Sequence, residues 1–281
     1  MKQTLKFFIK NLPDIYFINY LISMLYFIYY HKRIPLKKNL LNDYLFYFKI
    51  DSDIEKDLYR LTTDKISAKN YIINKLGNNK RVNNNISILR TTKEILAYTF
   101  NKNTIVKPNH LSGNIIYIDN ENSVDRSLIC SWLSKNYFKL SREKNYKKIE
   151  PAIMIEPMFF DGKSYDFKIH CFKSKPKIIQ VDFNRRNQHT RCFFDIDFNN
   201  LKSSTLYPIS NLELKKPYIL QEMIDISCKL SSDFNLVRID FLVSKDLSDF
   251  MIGEITHCHG GANEKFIPKE AENLISNIIF D

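Results

Sequence analysis

Apolar residues recur along this chain with two periods, and the change from one to the other divides it. Residues 15–30 are apolar almost throughout, interrupted only by Asn19 and Ser23. Residues 1–60 read as mostly helical, with breaks at Pro13 and Pro35, because proline lacks the N–H that a helix interior needs. Asp64 is suited to cap a helix over residues 65–76 that stops at Gly77, and a polar loop follows over 78–85. Strand patterns then begin. Residues 103–106 and 114–118 form a hairpin around the loop 108–113, and helical character returns over 127–137, where Trp132 packs. After Pro151 comes an apolar strand, 152–155, then a turn at Asp161 and Gly162. Residues 164–172 alternate between polar and apolar. Residues 177–183 follow after a second turn at 174–176, giving an antiparallel meander. A helix over 217–230 leads to two last strands, 236–243 and 250–256, and a short helix starts near Pro268. No repeat or low-complexity linker divides the chain. The pattern predicts an α+β fold with antiparallel sheets.

Composition narrows the chemistry. The 281 residues are 44% hydrophobic and 26% charged, as in ordinary globular proteins. They suffice for one large domain or two closely joined lobes. Only six glycines occur, and neither a Walker-type phosphate loop nor a G-x-G-x-x-G fingerprint is present. The five cysteines, Cys130, Cys171, Cys192, Cys228 and Cys258, are odd in number and never spaced C-x-x-C. The expectation is reduced thiols in a cytoplasmic protein, not a disulfide framework or structural zinc.

The net charge is +11, and residues 1–40 hold seven Lys or Arg against one acid, Asp14. Such an excess suits an anionic partner (nucleotide, nucleic acid, anionic lipid or acidic polymer) or a plain solvated surface. The apolar run 15–30 is flanked by Lys10, Lys32, Arg33, Lys37 and Lys38 and shows no convincing cleavable signal. At sixteen residues it is shorter than the roughly 20 a spanning helix needs. It reads either as a buried helix or as a membrane-interface helix.

Several short motifs carry chemistry. In V-R-I-D-F (237–241) and G-E-I-T (253–256), Asp240 and Glu254 fall on two adjacent strands where both carboxylates can face one side. Hard divalent cations such as magnesium want such oxygen ligands, shared with phosphates. Arg238 points to the face of Asp240, so it suits neutralising a phosphate or simply pairing with either acid. In T-I-V-K-P-N-H-L-S-G (104–113), Lys107 ends an apolar strand before a small polar loop, where it and the amides near Ser112 and Gly113 suit phosphate contact. Lys65 opens a helix and reinforces an anion site or stands in solvent. Glu156 ends the strand of I-M-I-E-P-M, where it can meet a sugar or adenine. Asp166, Lys168 and His170 alternate onto one strand face, with Lys168 directed at a cleft or at water. Arg185 and Arg186 suit a carboxylate or phosphate as well as solvation. His257, Cys258 and His259 suggest zinc only weakly, for want of a fourth ligand.

The order of these elements is more specific than any one of them. D-K at Asp64 and Lys65, K-P-N-H at 107–110, W-L at Trp132, E-P-M at Glu156, Y-D-F-K-x-x-C-F at 165–172, V-R-I-D-F, G-E-I-T and K-F-I-P at 265–268 together resemble the TupA-like family of the ATP-grasp superfamily. The likeness covers roughly residues 60–275. It implies two lobes whose antiparallel sheets enclose ATP, preceded by a helical N-terminal segment. That segment would cover residues 1–60, and the ATP-grasp domain residues 61–281, with lobes of about 61–150 and 151–281.

The resemblance also implies roles. Lys107 is the phosphate-binding lysine, Lys65 an additional one, and Ser112 and Lys168 further nucleotide contacts. Glu156 falls at the adenine–ribose hinge. Asp240 and Glu254 are magnesium ligands, with Thr256 where many relatives carry Asn, a departure that bears on the metal count. Arg238, with Lys168 and Lys107, acts on the transferred phosphoryl group. His110, Arg185 and Arg186 contact substrate.

The implied reaction is ATP-dependent joining of a carboxylate to an amine through an acyl phosphate. The family's link to surface and capsular polysaccharide makes the carboxylate a uronic acid and the amine an amino acid. Partners would be an acidic saccharide and an amine, with no nucleic acid. The basic, aromatic residues 1–40 would touch the inner membrane face. A sugar kinase, a glycosyltransferase and a non-catalytic ATP-binding protein remain the alternatives.

Overall fold

The computed structural model describes residue 9 and residues 11–36, 39–119 and 124–281. Lys10, Lys37 and Lys38 lie outside the described residues. Three helices open the chain: α1 (Tyr16–His31), α2 (Leu41–Ile50) and α3 (Asp57–Thr63). Helix α4 (Ser67–Leu76) starts two residues later than Lys65. Asp64 turns the chain into it by accepting from the Ile66 amide at 3.0 Å and the Ser67 hydroxyl at 2.9 Å, and Gly77 ends it with φ +72°.

The small lobe is a four-stranded antiparallel sheet in the order β1-β4-β2-β3: β1 (Ser87–Leu89), β2 (Thr104–Pro108), β3 (Ile116–Ile118) and β4 (Ile153–Pro157). The expected hairpin is β2–β3. Helices α5 (Thr92–Ala97) and α6 (Arg126–Leu133) bury Ile95, Ile129 and Trp132 against Val106, Ile118, Ile153 and Ile155. The helix expected over 127–137 is two, because the chain breaks after Leu133 and restarts as α7 (Tyr137–Ser141) behind an Asn136 cap.

The large lobe is a five-stranded antiparallel sheet in the order β10-β9-β5-β6-β7. Its strands are β5 (Ser164–Phe172), β6 (Lys175–Phe183), β7 (Thr190–Phe194), β9 (Leu236–Ser244) and β10 (Phe250–Thr256). The alternation read in residues 164–172 sends Phe167 and Ile169 to one face, where they join Val181, Ile239 and Phe241. Helix α8 (Leu220–Ser231) covers that face with Leu220, Met223 and Leu230. The other face is polar near the small lobe. Farther along it carries Ile178, Phe193 and Leu236, which α2 and α9 (Ala271–Phe280) cover with Leu45, Phe46, Ile275 and Ile279. A two-stranded ribbon, β8 (Ser204–Thr205) with β11 (Phe266–Ile267), completes the lobe. All five cysteines are free thiols.

The loop after α7 buries a carboxyl beside these helices. Burial pushes Glu143 up to about 7, against the opposing pull of Lys49 and of hydrogen bonds from Tyr137 and Ser141. A raised folded value makes this group's contribution complete below the ordinary carboxyl range. The contribution falls as pH rises towards 7, because only the native state keeps the proton. Glu143→Gln is therefore expected to melt higher than the wild type by a margin that grows from pH 5 to pH 7 and then levels off. Melting curves across that range test this; a constant margin would contradict it.

Candidate active site

The facing surfaces of the two lobes enclose a cleft of about 1050 Å³ counted out to its open mouth, with apolar walls such as Ile105, Tyr117, Met158 and Phe159 beside its charged groups. Strand β2, central in the small sheet, supplies Lys107. Lys107 and Glu156 share a face of the β2–β4 pair as diagonal neighbours. The Lys107 ammonium lies 2.7 Å from one Glu156 oxygen, and Lys69 of α4 lies 2.6 Å from the other. Asn83 donates to the same carboxylate at 3.1 Å. Burial alone would push the Glu156 carboxyl up, but Lys107 and Lys69 outweigh it and hold the group below its ordinary value. Glu156 is thus an anionic post that fixes two lysines, just before residues 158–163 lead into the large lobe.

Lys65 sits where Asp64 ties the start of α4 to the end of β2 through Asn109, 2.9 Å away. Its ammonium donates to the Leu111 carbonyl at 2.8 Å and stands 3.8 Å from Glu254 across the cleft. Burial depresses its proton affinity, while Glu254 acts the other way.

The opposite wall is built by register. Lys168, Asp240 and Glu254 lie side by side on β5, β9 and β10, and His170, Arg238 and Thr256 form the next row. Glu254 reaches this face through a bulge at Gly253, which shifts the β9–β10 register by one residue. The bulge runs so close to β9 that a Cβ at Gly253 would lie 3.2 Å from the Asp240 carbonyl oxygen. Arg238 grips Asp240 in a fork, with Nε–Oδ1 2.6 Å and Nη2–Oδ2 2.7 Å. Burial raises the Asp240 carboxyl and Arg238 opposes it. Burial likewise acts to raise Glu254, but Lys65, Arg238, Lys107 and Lys168 together hold it at about 2. The Glu254 side chain is 39% exposed to the cleft. Thr256 Oγ1 donates to Glu254 and accepts from Arg238, both at 3.4 Å.

Lys168 does not stand free in the cleft. It pairs with buried Asp182, which also accepts from Arg191 Nε at 2.5 Å; Arg191 in turn reaches Glu264 at 2.8 Å. Despite burial, Lys168, His189 and Arg191 keep Asp182 well below the ordinary carboxylate range. At the cleft mouth, Arg185 donates to Asp166 at 2.9 Å and remains half exposed. Arg186 stacks 3.6 Å over the Tyr117 ring, 3.7 Å from Asp119, and so spans from the large lobe to the small one. Ser112 is exposed, while its neighbours Leu111 and Gly113 line the cleft.

His110 is a correction to its expected contact with substrate. It is buried with both ring nitrogens engaged, 3.0 Å from Asn109 Oδ1 and 3.0 Å from the Trp132 carbonyl. It fastens the loop after β2 to the end of α6. His257, Cys258 and His259 are likewise buried, with His257 bonded to Thr62 at 2.7 Å. Among the described residues no three His, Cys, Asp or Glu side chains converge as metal ligands.

Sequence reasoning missed Lys69, Asn83, Asp182 and Arg191. Lys69 was within reach, since it follows Lys65 by four residues and so shares its side of the chain as the helix begins.

The donor set fits a hard divalent cation held jointly with phosphates. Asp240, Glu254 and Thr256 offer only oxygens, and one or two carboxylates are enough when a nucleotide supplies further ligands. Arg238 uses one lone pair on each Asp240 oxygen and leaves the other pair. The lysines opposite fit the nucleotide's own charge.

Two antiparallel sheets closing on lysines from one lobe and carboxylates from the other define an ATP-grasp fold. The chain belongs to the TupA-like ATP-grasp family, whose sequence pattern matches residues 45–280. Solved structures of similar shape include D-alanine–D-alanine ligase from Helicobacter pylori (14% identity, TM-score 0.40, covering 80% of this chain and 64% of that one). L-amino acid ligase from Bacillus licheniformis is another (13% identity, TM-score 0.45, 78% and 51%). D-alanine–D-alanine ligase from Bacillus anthracis complexed with ATP is a third (15% identity, TM-score 0.40, 78% and 63%). The chain thus spans between about half and just under two thirds of these proteins' lengths. Comparison with functionally curated proteins finds none that matches this sequence.

Proposed function

We propose that this chain is an ATP- and magnesium-dependent ligase that joins a carboxylate to an amine. The carboxylate belongs to a uronic acid, or another acidic unit, of a cell-surface or capsular polysaccharide or its precursor, and the amine is an amino acid. What supports the reading is one juxtaposition: Lys65 and Lys107 face Asp240 and Glu254 across a cleft, with Arg238 beside the acids. When bound, magnesium would screen phosphate charge between Asp240 and Glu254.

The chain's own groups would do the rest. Lys107 and Lys65 hold the phosphates, and Arg238 offsets charge that grows as the acceptor carboxylate oxygen attacks the γ-phosphorus. The bond to the bridging oxygen breaks and ADP leaves. The amine nitrogen then attacks the acyl carbon, inorganic phosphate departs and the nitrogen sheds its proton to water. Arg185 and Arg186 at the mouth suit an acidic glycan.

The test incubates the full chain with magnesium-ATP, uronic acid oligomers and a panel of amines, and follows ADP and product mass. The expected result is ADP release that needs both acceptor and amine, with a product heavier by the amine less one water. A gain of phosphate without amine dependence would replace the ligase by a kinase. Bound ATP with no ADP from any pairing would replace it by a non-catalytic binder.

A further inference from the structure

Helix α1 packs one side only. Asn19, Ile22, Ser23 and Phe27 are buried, and Phe27 and Tyr20 meet Phe46 of α2. The other side shows Phe17, Leu21, Leu25 and Ile28 to solvent, at successive helical turns that form one stripe. Phe17 is 68% and Leu25 58% exposed. Exposed apolar side chains continue past both ends of the helix, from Leu12 to Leu36. So many exposed apolar side chains on one helix face are uncommon on a surface that meets only water.

The surroundings of the stripe select its occupant. Lys2, Lys6 and Lys10 precede it in sequence, and Lys32, Lys37 and Lys38 follow, so the chain is basic on both sides of it. Asp14, the one acid of this region, is engaged by Lys147 and Asn19. Exposed Lys32 closes the helix at its C-terminal end, 5.0 Å over the Tyr29 ring. A second copy of the chain laid on the stripe in either direction would bring like charges together. An anionic lipid surface receives the exposed apolar side chains together with exposed Lys32, in a stretch of sequence that is basic before and after the helix. At sixteen residues α1 is about 24 Å long and cannot cross the roughly 30 Å hydrocarbon layer. Among the described residues no helix is long and apolar enough to span.

We propose that the outer face of α1 docks onto an anionic lipid bilayer, with the helix lying in the plane of the interface. The same helix pair touches the loop that follows the carboxylate strand β10. His31 Nε2 lies 2.9 Å from the Ala262 carbonyl, and Lys49 of α2 donates to the Gly261 carbonyl at 3.0 Å. Docking would therefore fix the orientation of the cleft relative to the membrane.

The experiment is co-sedimentation of the full chain with vesicles of phosphatidylcholine alone or mixed with phosphatidylglycerol. Binding to the mixed vesicles is expected to be roughly tenfold stronger and to weaken with salt. The triple variant Phe17→Ser, Leu21→Ser, Leu25→Ser is expected to lose about a hundredfold in partitioning, with ATP binding and melting unchanged, because the three side chains are exposed. Lys32→Glu should weaken only the binding to mixed vesicles. The proposal fails if the wild type ignores mixed vesicles at low salt, or if the triple variant binds as well as the wild type. It also fails if light scattering finds a wild-type dimer that the triple variant turns into a monomer, which would assign the stripe to a second copy.

Discussion

Replacing Asp240 by Asn is expected to abolish ADP formation while ATP still binds. The loss should be at least about a thousandfold, or ~4 kcal/mol of transition-state stabilisation. Asn keeps the shape of the side chain but not the charge that a divalent cation and Arg238 both need. ATP affinity should change only severalfold, since Lys65 and Lys107 stand on the opposite wall. Some stability will be lost too, because the buried Arg238 gives up its forked partner. Glu254 and Glu264 still act on that guanidinium and limit the loss. Glu254→Gln removes the second carboxylate, and with it the charge that Lys65, Arg238, Lys107 and Lys168 hold ionised, so it too gives up some stability. Both variants should lose turnover while keeping a cooperative melt, so that the loss is one of chemistry and not of folding. Full activity in Asp240→Asn would sink the metal assignment, and so would turnover in Glu254→Gln equal to the wild type.

That pairing of acids shows how far the sequence could be read. Strands β5, β9 and β10 were legible because apolar and polar positions alternate through them, and the polar set faces the cleft. Parity alone would have misplaced Glu254. From the pairing of Phe250 with Val243, an unbroken hairpin sets Glu254 opposite Ile239, on the core face. The extra residue at Gly253 restores it to Asp240. A bulge leaves no periodic trace, so only the chemical sense of two facing carboxylates pointed the right way.

Glu156 and Lys168 show the converse. Their positions on strands were readable, but their partners were not. Lys69 and Asn83 come to Glu156 from elements distant in sequence, which carry no pairing information, and Asp182 meets Lys168 only through the β5–β6 register, which the alternation leaves open. Strand β7 was missed because Arg191 interrupts its apolar run, and that arginine is buried only because Asp182 and Glu264 receive it. β1 is three residues long, too short for any period to show. The run at 15–30 was open between burial and exposure at an interface, and α1 buries one face in the core and leaves the other exposed.

Lys107→Met is expected to weaken ATP binding by about a hundredfold, measured by calorimetry or with a fluorescent ATP analogue. Met fills a similar volume and removes only the charge. The same change should cost about 1–3 kcal/mol of stability, because buried Glu156 keeps only Lys69 and Asn83. The sign of its pH dependence follows from the depressed Glu156 carboxyl. Its contribution is complete above the ordinary carboxyl range and is lost as pH falls through the folded value. Removing Lys107 lets that value rise, so acid unfolding of the variant should begin at a higher pH than in the wild type. The double variant Lys107→Met, Glu156→Gln distinguishes binding from folding. The buried anion is gone, but Lys69 keeps only Asn85, so part of the lost stability should return, yet none of the ATP affinity. Recovery of ATP affinity in the double variant would mean that Lys107 serves the nucleotide only by neutralising Glu156, and its role as a phosphate contact would be lost.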